Sequence, residues 1–113
     1  MKEDRLYLVH IKDAIEQILR YTQQGREAFF GDRQIQDATI RNLEIIGEAV
    51  KHVSKKLRSA HPDVPWKRIA GMRDKMIHDY FGVDPRLVWD VVEREIPFLL
   101  RKVEEILSKP TRP

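Results

Sequence analysis

At 113 residues, 42% apolar and 35% charged, the chain has the size of one domain with a modest core and charged outer helix faces. It contains no cysteine, which excludes disulfides, thiolate metal sites and a cysteine nucleophile, and no apolar run approaches the roughly 20 residues of a membrane span. The formal charge of +3 and a pI near 9.3 permit a polyanionic partner without requiring one.

The charged start, Met1 to Arg5, leads into no signal-type apolar block, so a cytoplasmic location is the expectation. Asp4 is expected to cap a first helix running to about Gln23, with Tyr7, Leu8, Ile11, Ala14, Ile15, Ile18, Leu19 and Tyr21 as its apolar stripe. Gly25 stops it. Phe29, Phe30 and Gly31 read as an apolar connector. Asp32 caps a long second helix ending near Leu57, where Ile35, Thr39, Leu43, Ile46, Val50, Val53 and Leu57 recur every three or four residues. Ala38, Ile45 and Ala49 widen that face. Gly47 costs helix stability, and close approach of another helix is a reason to keep it.

The run His61-Pro62-Asp63-Val64-Pro65 is a stiff linker, since each proline biases its predecessor away from helix. A third helical segment is expected from about Trp66 to Phe81, with Gly71 a possible break and Gly82 its cap. Asp84 followed by Pro85 marks the start of a fourth helix, which Pro97 kinks or splits before it ends near Ser108. Residues 110–113 read as a frayed tail. The expectation is one all-α domain over residues 1–113, an up-and-down bundle of four to five helices.

One segment is not explained by a solvated helix face. Arg73, Asp74, Lys75, His78, Asp79 and Tyr80 fall within three helical turns. A guanidinium holds a phosphate through two parallel hydrogen bonds, and an imidazole moves protons near neutral pH. Asp74 and His78 are four apart, so on a helix the carboxylate could set the imidazole tautomer. Arg73 and His78 are five apart, about 140° around a regular helix. Either the long arginine wraps around, or a second copy of the chain completes the site, two such helices meeting across a two-fold axis. The second arrangement is preferred. An Arg, a His and a Tyr this close also occur by chance in basic helices. His10, His52 and His61 fit no metal spacing, and the last two read as surface residues.

The spacing R-x-x-x-x-H-x-Y, Arg73 to Tyr80, resembles the signature of HepT-type toxins, minimal HEPN-domain proteins paired with MntA-type nucleotidyltransferase antitoxins. The resemblance extends through Asn42 to Ala49, through His61 to Trp66, through the motif's flanks at Met72 and Phe81, and through Val88-Trp89 and Ile96-Pro97. It implies a dimeric, HEPN-like endoribonuclease that uses no metal or other cofactor. Arg73 would stabilise charge on the scissile phosphate, and His78 would transfer a proton as the RNA 2′-hydroxyl attacks, leaving a 2′,3′-cyclic phosphate. The RNA could be tRNA or mRNA. Tyr80 would accept AMP from the antitoxin, placing a bulky anion where RNA binds. The alternative is a non-catalytic helical module that binds a nucleotidyltransferase or a nucleotide. A bundle with no site at all is the third reading.

Overall fold

Helix α3 (Arg33–His52) is the axis of the fold, and its sequence explains why. Asp32 accepts from the amides of Gln34 at 2.9 Å and Ile35 at 3.3 Å, satisfying donors that the first turn leaves unpaired. Leu43, Ile46 and Val50 are completely buried along one side, with Thr39, Gly47 and Ala49 beside them.

The computed structural model describes residues 2–78 and 84–109, with positions 2, 73 and 75–78 described by backbone alone. Around α3 lie α1 (Lys2–Thr22), α2 (Arg26–Gly31), α4 (Lys55–Ala60), α5 (Trp66–His78), α6 (Pro85–Arg94) and α7 (Ile96–Ser108). Helix α3 packs mainly on α1 and α5, and α7 closes the other side of α1. Leu8, Ile11, Ala14, Ile15 and Ile18 of α1 meet Val88 and Val92 of α6 and Ile96, Leu99 and Val103 of α7 in one core. No strand occurs among the described residues, and the all-α bundle stands.

Among the described residues there are seven helical segments where four or five were expected, because two further short helices form. Residues 29–31 are not a plain connector but the end of α2, which seats the fully buried Phe29 against Trp89 at 5.2 Å between ring centres. Gly25 permits this second start, since its φ of 96° lies where other residues are strained.

The long second helix also stops earlier than expected, at His52. Asp4 does not cap α1; it lies inside the helix, only 4% exposed. Its carboxylate accepts from the Ser54 amide at 2.7 Å and the Ser54 hydroxyl at 2.6 Å. A continuous helix would send that amide to Val50, so the buried carboxylate takes the donor and the rod breaks. Ser54 then caps α4 through Leu57 N at 3.1 Å. Pro97 splits α6 from α7 as expected. Gly71 does not break α5, which runs unbroken to His78. The expected end near Phe81, the Gly82 cap and the tail at 110–113 lie outside the described residues.

Candidate functional site

Helix α5 begins at a rigid corner. Trp66 is 6% exposed, and its Nε1 donates to the His61 carbonyl at 2.9 Å, pinning the linker to the helix it feeds. Val64 and Ile69 are buried on either side. Lys102 of α7 pairs with Asp63, and Glu95 pairs with Arg68. Anchored by these contacts, α5 runs along α3 and carries positions 73, 74 and 78 on one continuous backbone.

Asp74 is the one member of the expected set whose side chain is described. Its Oδ1 accepts from Lys51 Nζ, on α3, at 2.9 Å. Both groups are partly exposed, at 35% for Lys51 and 51% for Asp74, so the pair contributes at most about 1 kcal/mol. Its consequence is positional: it ties the segment carrying Arg73 and His78 to the central helix. Nothing local in the sequence pointed to Lys51, which lies 23 residues from Asp74. The side chains of Arg73 and His78, and all of Tyr80, lie outside the described residues. The 140° separation of positions 73 and 78 follows from the regular helix on which both fall.

The remaining histidines are distributed differently from what their sequence separation suggested. His52 is exposed, as expected, but stacks on Tyr7 at 5.0 Å with an interplanar angle of 16°. His10 meets the same tyrosine edge-on at 6.2 Å. Glu48 approaches His52 at 3.4 Å. With Arg41, Glu44 and Ile45 these residues line a groove of about 390 Å³ between α1 and α3. Among the described residues no group of three or more His, Asp and Glu side chains is arranged to hold a metal ion. No helix among them is long and apolar enough to cross a membrane.

A family model described as ribonuclease HepT-like matches residues 11–106, from the middle of α1 to the last turns of α7. A protein of Caldanaerobacter subterraneus subsp. tengcongensis, provisionally named an RNase, is 49% identical over 110 residues, covering 96% of this chain and 98% of its own length. One from Thermococcus cleftensis, provisionally named ribonuclease HepT, is 46% identical over 101 residues, covering 88% and 92%. In Methanocaldococcus jannaschii a protein whose name joins gamma-glutamylcyclotransferase to a provisional RNase is 43% identical over 109 residues, and there the match covers only 49% of the relative. No solved structure matches the chain significantly. With most of its length matched by the family model, and with relatives this similar over nearly their full length, the chain belongs to the ribonuclease HepT-like family.

Proposed function

We infer that the chain is an endoribonuclease cleaving RNA by attack of the 2′-hydroxyl on the adjacent phosphate, and that Arg73 and His78 carry the chemistry. The observation that bears most weight is their placement five residues apart on one unbroken helix, in a chain of the ribonuclease HepT-like family. In the reaction the 2′-oxygen forms a bond to phosphorus, the bond to the 5′-oxygen breaks, and the 2′-proton is taken up. The leaving 5′-oxygen is protonated, and a 2′,3′-cyclic phosphate remains. Arg73 offsets the charge growing on the phosphate, and His78 handles a proton. Asp74 supports the segment through Lys51 and is placed, four residues before His78, to orient its imidazole. The nucleophile is internal to the RNA, so the reaction needs no metal-activated water.

The same reading makes the chain the toxin of a pair. Its partner nucleotidyltransferase transfers AMP to the Tyr80 hydroxyl, and the added anion repels the RNA phosphate. Two copies of the chain complete the cleft.

The test is direct. Purified, unmodified protein should cut single-stranded RNA with a chelator present and leave cyclic phosphate ends. Arg73→Ala and His78→Ala should each lower the rate by about 100-fold or more while leaving the unfolding free energy within about 1 kcal/mol of wild type. Intact RNA after incubation with unmodified wild type would remove the reading.

A further inference from the structure

The basic balance of the chain is not spread evenly. Residues 51–68 hold six cations (Lys51, Lys55, Lys56, Arg58, Lys67 and Arg68) against one acid, Asp63, a local charge of +5; the rest of the chain is −2. The fold sharpens the contrast. Asp63 pairs with Lys102 on α7, whose ammonium, hydrogen-bonded to it, holds the Asp63 carboxyl below its ordinary value. Lys51 is committed to Asp74, and Arg68 to Glu95. Lys55, Lys56, Arg58 and Lys67 have no acidic partner among the described residues. Arg58 Nε is buried without an acceptor among the described residues.

Lys55 and Arg58 of α4 and Lys67 and Arg68 of α5 line one shallow depression of about 530 Å³, floored by Pro62 and Pro65. It opens onto α5. Lys67 lies seven residues before Asp74 and eleven before position 78, so all three fall within about 40° of one line along the helix. Gly71 borders this strip, about 20° from position 78, and a side chain built there would meet nothing within 4 Å. The distance along α5 from Lys67 to position 78 is about 16 Å. The cationic depression thus lies on the same side of α5 as position 78, with Asp74, its charge offset by Lys51, between them.

We propose that the α4–α5 depression is the docking subsite for the phosphate backbone of single-stranded RNA, holding the strand a few nucleotides from the bond that is cut. This rests on the ribonuclease reading. The partner is a polyanion because unpaired lysines and an arginine supply only donors and positive charge. The subsite is sequence-blind, since Trp66 is too buried to offer a ring face to a base.

The experiment compares Lys55→Glu/Lys67→Glu with a control of equal charge change, Arg20→Glu/Arg33→Glu, whose residues are equally exposed but outside the depression. Binding of a short labelled single-stranded RNA is measured in the His78→Ala background, and cleavage in the wild-type background. The depression variant should bind about ten-fold or more weakly, and its log affinity against log salt should flatten by about 1.4, two phosphates at 0.7 each. Its KM should rise with kcat within about two-fold, because docking is not chemistry. The control should change little. Equal losses in both variants would mean bulk charge and overturn the proposal. Unchanged RNA affinity in the depression variant, with or without loss of nucleotidyltransferase binding, would also overturn it while wild-type cleavage leaves the ribonuclease reading standing. If wild type neither binds nor cuts RNA, both fall together.

Discussion

Asp4 shows how far a residue's role can lie from its local pattern. In sequence it looks like a helix cap, with a carboxylate just ahead of an amphipathic stripe. In the structure it is a buried acceptor inside α1, bonded twice to Ser54, 50 residues away. Hydrogen bonds to a charged group are worth about 1.5–3 kcal/mol each, and removing one partner strands the other. Asp4→Ala should therefore lower unfolding stability by about 3 kcal/mol in urea. The size is informative, because losing an ordinary helix cap costs only about 1 kcal/mol. A variant as stable as wild type would show that the Asp4–Ser54 tie contributes nothing. Asp32 and Asp84 behave as their neighbourhoods suggested, each accepting from an amide two residues on. Those bonds are local, so the sequence contained all their partners; Ser54 is not local to Asp4, and no window around it revealed the bond.

Among the elements, α5 carries the most consequence. Its start was legible from Pro65-Trp66, and its continuity was the open question because of Gly71. The glycine is exposed, has helical backbone, and stands in open space. A methyl group there meets no obstacle and reduces the entropy of the unfolded chain. Gly71→Ala should raise stability by about 0.5–1 kcal/mol, read as a shift of the urea midpoint at constant slope. A loss would mean that α5 is not a regular helix at this point. Helices α2 and α4 were not legible as helices. Each has six residues, too few for an apolar period to show. Each exists because the core gives it an anchor, Phe29 for α2, or because a neighbour supplies the break that starts it, Asp4 through Ser54 for α4.

For the whole molecule the question is how Arg73 and His78, the pair proposed above, would act on one phosphate. Positions 140° apart on one helix favour a cleft completed by a second copy. Subunit complementation decides this. Arg73→Ala and His78→Ala proteins, each inactive alone, should regain RNA cleavage when unfolded and refolded together, since a mixed dimer can join the arginine of one chain to the histidine of the other. A mixture as inactive as its components would place the whole site in a single chain. The proposed switch predicts that the wild-type chain gains mass in AMP units at Tyr80 when co-expressed with a cognate nucleotidyltransferase. Mass spectrometry locating AMP at another residue would take Tyr80 out of the switch.

The helical class, most helix limits, the apolar faces and the family were legible from the residues alone, because apolar period, caps and the Arg73–His78 spacing are all written within a few residues of one another. Membership in a ribonuclease family then followed from similarity along nearly the whole chain. It took the packed fold to reveal that Lys51 holds Asp74, that Asp4 breaks the second rod, and that Lys102 draws Asp63 away from a corner of lysines. These are contacts between side chains 23 to 50 residues apart. They depend on which helix faces meet, and hydrophobic burial around α3 settles that for the chain as a whole.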